Sequence, residues 1–181
     1  MKMIDKSELA EIKKQNSFFD FEELSNQKNQ GNEFSFKLDM DNPRDYPDVI
    51  YRINNLVEVI SKMLSSLNQQ VIIFNYQDKW LTQDEEVYPL RKLFFDKYGI
   101  DNFFDGAIEV DSSDEIVKYF LESVFKYNSF VGFLSENSIG KVVIVLSDHL
   151  DVFVHTDRKE VSDEIKRGLT GTEEGIEFEI N

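Results

Sequence analysis

The sequence predicts one α+β domain: a mostly antiparallel sheet, two long helices packed on one side, and a C-terminal three-stranded meander. Three observations predict it. Residues 47–67 and 113–127 carry wide apolar stripes at three-and-four spacing, so both need a shared surface to cover them. Strand-like runs at 129–134, 141–146 and 150–155 are separated by short turn-rich pieces, which is the pattern of an antiparallel meander. Finally, 181 residues at 41% hydrophobic with sixteen Phe can build one core without disulfides or metal, burying roughly 70% of the surface of the unfolded chain.

Taken in order, residues 6–15 form a short helix whose stripe is only Leu9 and Ile12. Residues 25–32, rich in Asn and Gln and closed by Gly31, form a loop. The reading is therefore an N-terminal helical appendage and loop at 1–32, the α+β domain at 33–169, and an acidic tail at 170–181. Phe34, Phe36 and Leu38 alternate with Ser35 and Lys37, the period of a half-buried strand. Asp41-Asn42-Pro43 turns the chain, and Pro47 suits a first helical turn, where its missing N–H leaves nothing unpaired. The helix at 47–67 presents Val49, Ile50, Ile53, Leu56, Val57, Ile60, Met63, Leu64 and Leu67 on one face. Val71-Ile72-Ile73-Phe74 is continuous and β-branched, so it reads as a central strand covered on both sides.

Thr82 and Glu85 have capping-box spacing ahead of a helical segment that Pro89 interrupts and Gly99 ends. A short strand follows at 107–110. Ser112 and Glu115 repeat the capping-box spacing before Ile116, Val117, Phe120, Leu121, Val124 and Phe125. On the far side of that helix Asp114, Lys118, Glu122 and Lys126 alternate in sign, as on a solvated face. After the meander, a short helix with Val161 and Ile165 stops near Gly168, and Ile176, Phe178 and Ile180 mark one terminal strand in the tail.

Charge bounds the function more sharply than any motif. Thirty-five Asp and Glu against twenty Lys and Arg give a formal charge of −15, and removing the four Glu of the tail leaves −11, so the acidity belongs to the body. Such a surface repels nucleic acid and anionic lipid and attracts basic proteins. The first residues lack the apolar run of a secretory signal, and nothing approaches the roughly 20 apolar residues that span a bilayer. A cytoplasmic protein is expected.

The catalytic inventory is thin. Cysteine is absent and both histidines lie in Asp148-His149-Leu150-Asp151-Val152-Phe153-Val154-His155-Thr156-Asp157. On a strand, Asp151 and His155 share a face but stand about 13 Å apart, too far to hold one ion. Ser147 has no Gly-x-Ser-x-Gly elbow around it, and Gly168, Gly171 and Gly175 lie beside Glu173 and Glu174, which would repel a phosphate. No catalytic residue, metal or cofactor is expected. Two acidic sets stand out as partner-binding candidates: Asp101, Asp105, Glu109 and Asp111 on one surface, and Asp148, Asp151 and Asp157 on another. The plainer reading of these residues is solvated loops and helix starts; the functional one is docking of a cationic protein.

The segment Asp148-x-x-Asp151-Val152 with Asp157 at a charged helix start resembles the closing hairpin of a bacterial family of small acidic proteins classed as a domain of unknown function. Its turn reads Ser147-Asp148-His149-Leu150 where that family tends to have Asp-Asp-Arg-Gly. Phe34-x-Phe36-x-Leu38, then Tyr46 and Arg52 ahead of a long helix, resemble the family's opening, so the likeness spans 33–167. The resemblance implies an immunity protein, an antitoxin that neutralises a cognate, basic toxin such as a nuclease effector of contact-dependent growth inhibition. The alternatives are a small cytoplasmic hydrolase using carboxylates or a weak metal site near His149 and His155, and an acidic adaptor.

Overall fold

Along most of the strands both the odd and the even positions are apolar, so the sheet they form must be covered twice. A computed structural model describes residues 1–21, 32–38, 46–75, 95–100, 104–127, 131–136, 138–146, 151–169 and 178–180. The elements are β1 (Lys2–Ile4), α1 (Lys6–Gln15), β2 (Asn32–Leu38), α2 (Tyr46–Leu67), β3 (Gln70–Asn75), β4 (Ala107–Asp111), α3 (Glu115–Tyr127), β5 (Val131–Glu136), β6 (Lys141–Leu146), β7 (Asp151–Thr156), α4 (Lys159–Leu169) and β8 (Phe178–Ile180). Eight strands make one sheet in the order β1-β4-β3-β5-β6-β7-β2-β8. Every pairing is antiparallel. This is the predicted α+β single domain, and β5-β6-β7 is its meander.

One face carries the main core. Val71 and Ile73 of β3, Ile108 and Val110 of β4, Phe133 of β5, Ile144 of β6, Val152 and Val154 of β7 and Phe34 and Phe36 of β2 point into it. The two long helices cover it together with α4: Leu56, Ile60 and Leu64 of α2, Val117, Phe120 and Leu121 of α3, and Val161, Ile165 and Leu169 of α4 are all buried. Lys118 is exposed, as expected of a solvated face, and from there reaches across the helix pair to Glu58 of α2, Nζ to Oε2 2.6 Å.

The opposite face is where the structure departs from the sequence reading. Within the segment expected as an appendage, residues 2–4 join the sheet as edge strand β1 and residues 5–21 lie over this face. Ile4, Leu9, Phe19 and Phe21 form a second core with Phe74, Ala107, Leu134, Val143 and Val145. A two-residue stripe on α1 suffices because the helix needs to seat only one edge; the chain after it supplies the rest. Asp5 starts α1 by accepting from Glu8 N–H at 2.9 Å. Asn16 stops it, its N–H donating to the Ile12 and Lys13 carbonyls, and its own carbonyl accepts from Phe19 N–H at 3.1 Å. That turn drops Phe19 and Phe21 onto the sheet, where Phe21 packs edge-on against Phe74 with ring centroids 5.2 Å apart.

Other local expectations meet mixed outcomes. Residues 95–98 are helical and end at Gly99, whose φ of 66° suits glycine. Ile100 N–H closes that end on the Phe95 carbonyl at 2.9 Å. The proposed caps at Thr82 and Glu85 and the turn at 41–43 lie outside the described residues. The Ser112–Glu115 capping box is corrected: α3 begins at Glu115, and Asp114 Oδ1 accepts from Ile116 N–H at 3.0 Å. Ser112 is spent elsewhere, its Oγ donating to the Asn68 carbonyl at 2.6 Å.

Gly132 in β5 stands opposite Phe74 of β3, and the Phe74 ring lies over it. A Cβ there would sit 2.4 Å from Phe74 Cζ. Gly132→Ala should therefore cost about 1–3 kcal/mol in urea denaturation. In a Phe74→Leu background the same substitution should cost clearly less; equal cost in both backgrounds contradicts the contact.

Candidate functional site

The described acidic candidates fall into two groups that the fold treats differently. Asp101, Asp148 and His149 lie outside the described residues. Asp105 precedes β4, and Glu109 and Asp111 follow along it, both directed to the same sheet face as α1. Each is already engaged. Asp105 Oδ2 lies 3.1 Å from Lys6 Nζ. Glu109 is half-buried opposite Lys2, whose Nζ is 3.9 Å from Glu109 Oε2 but only 2.5 Å from Glu8 Oε1. Asp111 Oδ1 accepts from Ser113 Oγ at 2.6 Å and Ser113 N–H at 2.9 Å, bonds that hold its carboxyl below the usual carboxylate range.

Asp151 and Asp157 are not brought together. They flank β7 at opposite ends, six residues and about 20 Å apart. Asp157 serves the fold, its Oδ1 accepting from Lys141 N–H at 2.7 Å beside Gly140. Strands β3, β5 and β6 separate this pair from the β4 set, so the two acidic surfaces are distinct.

His155 lies on the second face, on β7. It is 0% exposed, its ring centroid is 4.8 Å from that of Phe19, and its Nδ1 lies 3.7 Å from Glu33 Oε2. Burial pushes its pKa down from 6.5, with Glu33 opposing. Phe19 of the N-terminal segment packs against this buried imidazole. Among the described residues no group of three or more His, Cys, Asp or Glu is placed to hold a metal ion.

What the fold does build is a cleft of about 170 Å³ between the C-terminal end of α1 and strands β4, β3 and β5. Its floor is Ile12, Ile72 and Leu134; its polar wall is Glu109, Glu136 and Asn16, with Gln15, Asn68 and Gln70 at the margin. The register explains the grouping. Glu109 and Leu134 both pair with Ile72, and Glu136, two residues beyond Leu134, shares its side of the sheet. The Glu109 and Glu136 Cα atoms are thus about 12 Å apart, from two strand spacings and two residues of rise. Asn68 Nδ2 donates to the Glu136 carbonyl and ties the rim to the end of α2. Glu109 is the one sequence candidate that lines this cleft. Glu136 and Asn16 are not among the sequence candidates, because the strand read at 129–134 ends before Glu136, whereas β5 runs through it.

Comparison of the chain with protein-family models, curated proteins and solved structures finds no match. Among the described residues no helix is long and apolar enough to cross a membrane.

The buried His155 makes stability depend on pH. Its folded pKa is lowered, so below about 6.5 the unfolded chain takes up the proton first. This component is intact above that value and is lost as pH falls from it towards the folded pKa. Thermal unfolding between about pH 7.5 and 5.5 should show a loss of up to roughly 1.4 kcal/mol per pH unit that His155→Gln removes. An identical pH slope in the variant contradicts the assignment.

Proposed function

We propose that this chain is an acidic binding protein of the immunity type, which sequesters a cognate cationic bacterial toxin in the cytoplasm. The observation that carries the proposal is the charge of −15 on a body that remains at −11 without its tail. Exposed Asp105, ahead of β4, and exposed Asp111 and half-buried Glu109 within it contribute to that field. Charge of this size and sign steers a basic partner towards the surface and raises its association rate, which suits an inhibitor that must arrive before damage accumulates. Carboxylates presented to a nuclease occupy the place of substrate phosphates. The likeness read from the sequence over residues 33–167, which no family model matches, is an expectation that points the same way. The burial of His155 beneath Phe19 leaves the hydrolase alternative with less support.

The test is co-expression with the toxin domain encoded in the gene neighbourhood. Cells should survive, the two proteins should co-purify, and association should slow about tenfold or more as salt rises from low to high ionic strength. Undiminished killing with no recovered complex contradicts the proposal.

A further inference from the structure

We propose that the N-terminal turns of α2 are a docking face for a basic protein, with Tyr46 and Tyr51 as its anchors. The inference deepens the proposed function and rests on it for the identity of that protein, while the face itself is argued from helix length, exposure and charge.

Helix α2 is longer than the sheet it covers. Its 22 residues span about 33 Å, whereas the six residues of β3 span about 20 Å. Buried side chains begin only at Ile53 and run to Leu67, a stretch of about 22 Å that matches the sheet. Leu67 lies just ahead of Gln70, where β3 starts, so the surplus falls at the other end of the sheet. There Tyr46 is 75% and Tyr51 65% exposed, the two most exposed large hydrophobic side chains among the described residues. The cation on these turns, Arg52, is held by Asp48, Nη2 to Oδ2 3.2 Å.

The acidity of the chain collects at the same end. Strand pairing sets Leu38, Asn75, Ala107, Val131, Leu146 and Asp151 along it. The connections 39–45, 76–106, 128–130, 147–150 and 170–177 therefore leave and rejoin the described elements there, and in sequence they hold fourteen Asp and Glu against five Lys and Arg. The connections at the opposite end, 16–31, 68–69, 112–114, 137–140 and 157–158, hold five against two. Helices α2, α3 and α4 are each neutral, with as many Lys and Arg as Asp and Glu. Of the described sequence candidates, Asp105 and Asp151 belong to the acidic end and Asp111 and Asp157 to the other.

Exposure and charge select one kind of occupant. Tyrosine rings take arginine or lysine by cation–π contact and cover their methylene stems, and tyrosine is among the residues that dominate binding energy at protein interfaces. The surrounding negative field attracts a basic protein and repels nucleic acid and anionic lipid.

The probe is a hexa-arginine peptide, added to the full chain at about 0.15 M salt and followed by two-dimensional amide NMR. Saturable shifts should centre on residues 46–52 and on Asn75, Ala107, Val131 and Leu146, and should pass over Gln70, Asp111, Lys141 and Thr156 at the opposite end. A Tyr46→Ser/Tyr51→Ser variant with an otherwise unchanged spectrum should bind the peptide about fivefold to thirtyfold more weakly. Tyr46→Phe/Tyr51→Phe, which keeps the rings, should bind as the parent does. Shifts centred on the opposite end or spread evenly over the surface, or equal binding by the serine variant, overturn the face. The serine variant should also release the toxin domain encoded in the gene neighbourhood about tenfold faster. If it holds that domain as well as the parent does, the partner docks elsewhere and the inference fails while the immunity reading stands. If the parent neither binds the toxin domain nor protects cells, yet the peptide finds the tyrosines, the immunity reading fails and the docking face remains.

Discussion

The sheet is apolar on both faces, and the rest of the structure follows from that constraint. In β3 the even face presents Ile72 and Phe74 and the odd face Val71 and Ile73; in β6 Val143 and Val145 oppose Val142, Ile144 and Leu146. A sheet of this kind cannot leave either side to water, because each fully buried side chain of this size is worth about 1.5–3 kcal/mol. Helices α2, α3 and α4 cover one side. Ile4 and the chain through α1 to Phe21 cover much of the other, and the turn at Asn16 links the helix to the two Phe side chains that complete that cover.

The cleft is a by-product of this economy. At the C-terminal end of the ten-residue α1, Ile12, Ile72 and Leu134 line a cleft together with Glu109, Glu136 and the helix-ending Asn16. The residue that stops the helix is also the one left with an unsatisfied acceptor. Fold and cleft therefore share one cause.

Much of the fold was legible because its signals are local. The stripe from Ile53 to Leu67, the continuous run Val71 to Phe74 and the spacing of the closing meander each state their own structure. What was not legible depended on distant partners. Nothing in the pair Leu9 and Ile12 says that Val143 and Val145 need a cover, and the alternation in the strands was masked because both faces are apolar. The start of α3 was misplaced by two residues, since Ser112 has a stronger competing acceptor in the Asn68 carbonyl. The acidic candidates show the same limit. Their charge could be counted, but only the register separates Glu109, at a cleft, from Asp157, which is occupied by the Lys141 amide.

The central claim is that residues 1–21 are core and not an appendage. Urea denaturation of a Phe19→Ala/Phe21→Ala variant tests it most directly, with binding of a hydrophobic dye measured alongside. Each truncation in a buried site should cost about 3–5 kcal/mol, so the variant should unfold at much lower urea and bind the dye through the uncovered face. A variant whose stability stays within about 0.5 kcal/mol of the parent, as for surface substitutions, and which binds no dye, would contradict the account.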